Sequence, residues 1–141
     1  MPNRKAAATW EGSLQQGKGR MKLGSGAYEG PFSFQTRMGD EPGTNPEELI
    51  GAALSGCFSM ALSHGLGQAS ITPTLIRTDA TVHFEAKDGG FTITRIDLKT
   101  EVSASGLEDA AFQKIALETK AQCPVSKALA GTEITLAASL V

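Results

Sequence analysis

Hydrophobic and polar residues change period several times along this chain, and each change marks an element. Over residues 74–87, Ile76, Ala80, Val82, Phe84 and Ala86 alternate with Arg77, Asp79, Thr81, His83, Glu85 and Lys87. That period of two predicts a strand with one buried face. Asp88-Gly89-Gly90 turns the chain into a partner strand over 91–103. There the apolar set moves from Phe91 and Ile93 to Ile96, Leu98 and Val102, a one-residue change of phase that predicts a β-bulge. Three shorter extended segments come first, near 6–14, 19–24 and 30–38, divided by the Gly-rich turns "QQGKG" and "GSGAYEG". Ile134, Leu136, Ala138 and Leu140 form a last strand.

Helical signals fill the gaps. Asn45 reads as an N-cap, with Pro46 at the first helical position and Glu48 three residues after the cap. This helix should run to about Leu66, with Gly65 and Gly67 ending it. Residues 107–121 read as a second helix with Ala111, Phe112 and Ile115 facing inward, and a third, short helix begins in "CPVSKALAG". The resulting order, β-β-β-α-β-β-α-α-β, lacks βα alternation, so the predicted class is α+β with a mainly antiparallel sheet. Without repeats or linkers, residues 1–141 are expected to form one domain.

The central helix breaks the amphipathic rule. Leu49, Ile50, Ala52, Ala53, Leu54, Phe58, Met60, Ala61 and Leu62 surround it, so it should be covered on every side. Its cover is either its own sheet alone or, in addition, a second copy of the helix, which the small residues 51–53 would let approach closely. Glu47 and Cys57 are ten residues apart, about 15 Å along a helix, and cannot touch within it. In an antiparallel pair about a two-fold axis near Ala52, Glu47 of one chain would lie level with Cys57 of the other. Favourable placement near the positive helix N-terminus explains both Glu47 and Glu48 equally well.

Composition narrows the classes. The chain is 40% hydrophobic and 20% charged with a net charge of −2, and no basic block suggests nucleic acid or an anionic membrane. The first residues, "MPNRKAAATWEG", lack the apolar core of a signal peptide. The longest apolar run is about 14 residues, against roughly 20 for a membrane span. A cytosolic protein with a small-molecule or protein partner is expected. Two cysteines are too few for a disulfide scaffold, and in a reducing compartment they are free, metal-binding or catalytic. Cys57 reads locally as a small buried hydrophobe. Cys123, beside Pro124 at a helix N-terminus, reads as the more reactive thiol. The pair is either a two-thiol redox site or two unrelated buried cysteines. His64 and His83 have no zinc-ligand spacing to the cysteines, and His83 falls on the polar face of its strand, where it should be solvated. Trp10 and Tyr28 read as structural aromatics.

With these residues in view, the sequence resembles the OsmC/Ohr family of thiol-dependent hydroperoxide reductases. "FQTRMGDEPGTNPEELIGAALSGCFSMALS" and "AQCPVSKAL" resemble its two signature regions, and "ATWEG" and "GKG" look closer to the OsmC branch. The resemblance runs through essentially the whole chain. It implies an intertwined homodimer with active sites at its interface and a cysteine-based peroxidase needing no metal or organic cofactor. By position it assigns Cys57 as the peroxide-attacking thiolate and Cys123 as the resolving thiol. Arg37 would interact with the thiolate, and Glu47 would hold Arg37 through a bidentate contact. The implied partners are an organic hydroperoxide, with hydrogen peroxide as a second substrate, and an external dithiol reductant of lipoyl type. Phe34, Met38, Leu54 and Phe58 are the apolar residues expected to line the entrance. Competing readings of the same fold are a small-ligand-binding protein and a redox sensor.

Overall fold

The structure, a computed structural model, describes all 141 residues. Its element order is β1 (Ala6–Glu11), β2 (Lys18–Leu23), β3 (Glu29–Phe32), α1 (Phe34–Met38), α2 (Pro46–Gln68), β4 (Leu75–Lys87), β5 (Gly90–Ser103), α3 (Asp109–Gln122), α4 (Pro124–Ala128) and β6 (Glu133–Leu140). The class is α+β, as the sequence predicts, with two three-stranded sheets in place of one. Contacts divide the chain into an N-terminal unit, Met1–Leu49, and a C-terminal unit, Ile50–Val141.

In the N-terminal unit, β1, β2 and β3 form an antiparallel meander. Trp10 and Phe32 meet over Gly19 with ring centroids 5.4 Å apart, and a side chain at Gly19 would collide with both rings. The third extended segment is shorter than expected, because Ser33 starts a helix within it. Its hydroxyl accepts from the Thr36 N–H at 3.2 Å while the Thr36 hydroxyl accepts from the Ser33 N–H at 2.9 Å. This reciprocal box carries Arg37 on α1 rather than on a strand. The Thr36 hydroxyl also donates to the Thr44 carbonyl at 2.7 Å, which folds the "GDEPG" loop back onto α1. Asn45 caps α2 as expected: its Oδ1 accepts from the Glu48 N–H at 2.8 Å.

In the C-terminal unit, β4 and β5 pair antiparallel and β6 lies parallel to β5, since α3 and α4 carry the chain back before it. The register passes from His83 opposite Arg95 to Phe84 opposite Ile93, which leaves Thr94 as the extra residue of the expected bulge. Ile96, Leu98 and Val102 are fully or almost fully buried together with Leu54, Phe58, Leu62 and Leu66 of α2 and Phe112 and Ala116 of α3. On α3 the inward positions are Phe112, Ala116 and Thr119; Ala111 is exposed and Ile115 half-buried. Within one chain the central helix is covered along one side. Leu54, Phe58, Leu62 and Leu66 recur every fourth residue and form one buried stripe, whereas Ala52, Ala53, Gly56 and Met60 on the far side are exposed. At 23 residues, with a mean hydropathy of 1.4 over an 18-residue stretch, α2 meets the length and composition of a membrane span, a test that core helices also pass. Two glycines set its approach to neighbours. A Cβ on Gly51 would lie 3.2 Å from Val82 Cγ2, and one on Gly65 would lie 3.1 Å from Ile115 Cγ2.

The outer face of this sheet carries a polar knot that corrects the solvated placing of His83. Asp97 Oδ1 accepts from the Thr135 hydroxyl at 2.6 Å and from Arg95 Nε at 2.8 Å. His83 Nε2 lies 2.7 Å from Asp97 Oδ2, and the His83 side chain is only 29% exposed. The Thr135 hydroxyl first, then His83 and Arg95, hold the Asp97 carboxyl well below the usual carboxylate range against the opposing effect of burial.

Two outcomes test this packing. Because the folded Asp97 value lies below the unfolded value near 3.9, its stabilisation is present above about pH 4 and is lost as pH falls. The urea midpoint of wild type should exceed that of Asp97→Asn at pH 7, and the gap should narrow progressively below about pH 4; a gap independent of pH would refute the assignment. Phe58→Ala should cost about 3–5 kcal/mol in urea unfolding, the usual range for a fully buried aromatic.

Candidate active site

Cys57 sits on α2 beside Phe58, at the shoulder of the buried stripe. Cys123 is at once the C-cap of α3 and the N-cap of α4. Its N–H donates to the Thr119 carbonyl at 2.9 Å and its carbonyl accepts from the Lys127 N–H at 3.0 Å, so the backbone around it is fixed on both sides. Pro124 at the first position of α4 forces α3 to end there. Across 66 residues of sequence the two sulfurs come within 2.8 Å, both as free thiols. When either is ionised, the other is placed to donate its S–H to it.

The two thiols differ in access. Cys123 is completely buried, while Cys57 is half-buried and lines a cavity of about 840 Å³. Apolar walls come from Met60, Ala61, Ile115 and Pro124, and His64 and Glu118 add polar groups. Leu54 and Phe58, expected at the entrance, are fully buried in the core and cannot line it. The buried stripe takes them inward, and the residues one helical step around α2 reach the cavity instead.

Their acidities differ too. Burial pushes the Cys57 thiol up, and the adjoining Cys123 adds to this through hydrogen bonding and charge, with the Val125 N–H opposing. Burial acts against ionisation at Cys123 as well. There it is outweighed by the hydrogen bond with Cys57, by the Ser126 N–H and hydroxyl and by the Val125 N–H, so Cys123 is lowered. Within one chain the pair therefore loses its first proton at Cys123, the direction the local sequence around Pro124 implies. Ser126, three residues after Cys123, was not singled out in the sequence. Its hydroxyl is buried and has no hydrogen-bond partner.

Arg37 and Glu47 meet in the N-terminal unit. Arg37 Nε and one terminal nitrogen donate to Glu47 Oε1 at 2.9 and 2.6 Å. The fork thus closes on a single oxygen rather than across both, and the buried Oε2 has no hydrogen-bond partner. The Glu47 side chain is 9% exposed and that of Arg37 is 41% exposed. The four residues named by the resemblance accordingly fall into two pairs, one in each unit.

Comparison with known proteins places the chain among related sequences. The family model described as OsmC-like protein matches residues 39–137. The chain is 50% identical over 135 residues to Peroxiredoxin OsmC of Escherichia coli, covering 95% of this chain and 94% of that protein. It is 34% identical over 98 residues to Organic hydroperoxide resistance protein-like 2 of Staphylococcus epidermidis, with 67% of each chain covered. The fold is similar to the crystal structure of an OsmC like protein from Mycoplasma pneumoniae, with a TM-score of 0.77, 15% identity and coverage of 99% and 98% of the two chains.

The thiol pair makes a prediction of definite sign. Removing Cys123 deletes causes that raise Cys57, and removing Cys57 deletes a cause that lowers Cys123. Thiolate absorbance at 240 nm should therefore show Cys57 of Cys123→Ser ionising at lower pH than in wild type, and Cys123 of Cys57→Ser ionising at higher pH. Movement in the opposite directions would show that the sulfurs are not in contact in solution.

Proposed function

The chain belongs to the OsmC family, and we propose that it reduces organic hydroperoxides through a two-cysteine cycle in which Cys57 attacks and Cys123 resolves. Its coarser class is that of a peroxidase-type oxidoreductase, as the OsmC and organic hydroperoxide resistance relatives indicate. One observation carries the finer reading: Cys57 faces a largely apolar cavity while its sulfur lies 2.8 Å from a second, fully buried thiol. A peroxide with an apolar tail reaches Cys57 and not Cys123, so access overrides the greater acidity of Cys123.

The steps balance without a metal or organic cofactor. The Cys57 sulfur, its proton taken up by Cys123, attacks the distal oxygen of the peroxide. The O–O bond breaks, the alkoxide leaves and takes a proton from solvent, and Cys57 becomes a sulfenic acid. Cys123 then attacks the sulfenic sulfur, water leaves, and a Cys57–Cys123 disulfide forms. A thiol reductant restores both thiols. A cation beside Cys57 would favour its anion against burial, and Arg37, held by Glu47, is the group assigned to this role. The guanidinium fork suits it as a lysine would not.

A homodimer would supply that arrangement. Support comes from the uncovered face of α2, where Ala52, Ala53 and Gly56 offer close approach and Met60 is 78% exposed. Hydrogen peroxide as a second substrate, a cytosolic location that keeps the thiols reduced, and a role in oxidative or osmotic stress defence complete the reading.

Mass spectrometry after one equivalent of cumene hydroperoxide tests it. Wild type should lose two hydrogens, Cys123→Ser should give a trappable sulfenic acid, and Cys57→Ser should give none. A sulfenic acid only in Cys57→Ser would reverse the roles, and no reaction in any form would leave a binding protein. Arg37→Ala should lower the second-order rate with cumene hydroperoxide about 10- to 100-fold, the value of a lost charge-assisted hydrogen bond. An unchanged rate would remove Arg37 from the site.

A further inference from the structure

The cavity that Cys57 opens onto is a groove between two antiparallel helices, α2 and α3. At one end the Cys57 and Cys123 sulfurs lie 2.8 Å apart, and further along α2 a Cβ on Gly65 would lie 3.1 Å from Ile115 Cγ2. Cys57, Ala61, His64 and Gln68 recur along one face of α2, so this wall extends about 16 Å from the thiol at 1.5 Å per residue. The facing wall is Ile115, Glu118 and Gln122 of α3, with Glu118 about 7.5 Å along the axis from Cys123. Glu118 is the only Asp, Glu, Lys or Arg among the lining residues. It is exposed, and no ion pair neutralises it. Lys114 and Lys120 share its helix but do not line the cavity. His64 adds positive charge there only when protonated. Arg37, the cation assigned to the thiolate, is already joined to Glu47 at 2.6 Å, so that pair brings no net charge. A substrate tail lying beside Cys57 therefore meets one uncompensated negative charge.

Resting on the peroxidase reading above, we propose that Glu118 is a specificity-determining residue that turns the site toward uncharged organic hydroperoxides and away from those with a carboxylate on the tail. The apolar walls hold either tail by the same contacts, and the carboxylate alone separates them. A like charge at this range in partly solvated surroundings weakens approach to Cys57 about three- to tenfold. The discrimination rests on repulsion of the wrong substrate rather than on an added contact to the right one. Because the groove is open to water, dissolved ions screen that repulsion, over a length of about 8 Å at physiological ionic strength.

Second-order rates at about pH 8, where imidazole side chains are ordinarily neutral, test this with cumene hydroperoxide bearing a para-carboxylate and with its methyl ester. In wild type the ester should react faster, and the difference should shrink in about 1 M salt, where the screening length is about 3 Å. Glu118→Gln should raise the carboxylate-to-ester rate ratio about three- to tenfold. Glu118→Lys should raise it further, and Glu118→Asp should keep the wild-type ratio. A ratio unmoved in Glu118→Gln and Glu118→Lys, or equal losses with both substrates, overturns the proposal. Alkylation of Cys57 by iodoacetate and by iodoacetamide in the Cys123→Ser background reads the same charge without peroxide chemistry. There Glu118→Gln should again raise the anionic-to-neutral rate ratio. Failure of both peroxides alongside a shifted alkylation ratio would sink the peroxidase reading alone, whereas an unshifted alkylation ratio would remove Glu118 from the role.

Discussion

The C-terminal unit is organised by one packing constraint: α2 must bury Leu54, Phe58, Leu62 and Leu66 while holding Cys57 just off that stripe. Buried apolar area of this kind is the main favourable term of folding, so the stripe fixes the rotation of the helix. Rotation by one residue would carry Cys57 into the core with Phe58, or out to solvent with Gly56. The glycines support the same setting. Gly51 permits close approach to Val82 on the sheet, and Gly65 permits it to Ile115 on α3. A half-buried polar run, Ser59 to Thr78 at 2.8 Å and Thr78 to Thr100 at 3.0 Å, pins α2 to β4 and β5. With α2 so fixed, the turn from α3 to α4 at Cys123–Pro124 completes the thiol pair.

Burial makes the pair usable and also opposes its chemistry. It protects the sulfurs and raises Cys57, while the polar groups around Cys123 draw the first ionisation there. Acidity and access are thereby assigned to different sulfurs in the isolated chain. The Arg37–Glu47 pair belongs to the other unit, with Glu47 on the first turn of the helix that carries Cys57. Its unpartnered Oε2 leaves a second acceptor position beside the arginine.

Much of the fold was legible because local physics dictated it. The alternation through Ile76–Ala86, the phase change at Ile93–Ile96 and the Asn45-Pro46 cap each have a single-element cause, and each appears where expected. Misses arose where side chains act across short distances that periodicity does not register. Ser33 and Thr36 converted the end of a predicted strand into α1, and the sheet count rose to two because strand pairing depends on where chains meet. His83 alternated correctly onto the outer face, yet Asp97 and Arg95 of the neighbouring strand engage it and leave it half-buried.

The sequence by itself determined the α+β class and every element but α1, and the family resemblance it carries singled out Arg37, Glu47, Cys57 and Cys123. It could not decide which face of α2 would be buried, because an all-apolar helix carries no internal preference for one side. The tertiary structure made that choice through Ile96, Leu98, Val102 and Phe112. It also decided that residues 66 positions apart become neighbours at 2.8 Å and that only one of them opens onto a cavity. Access and acidity are properties of surroundings assembled from distant segments, so neither is written at a single position in the chain.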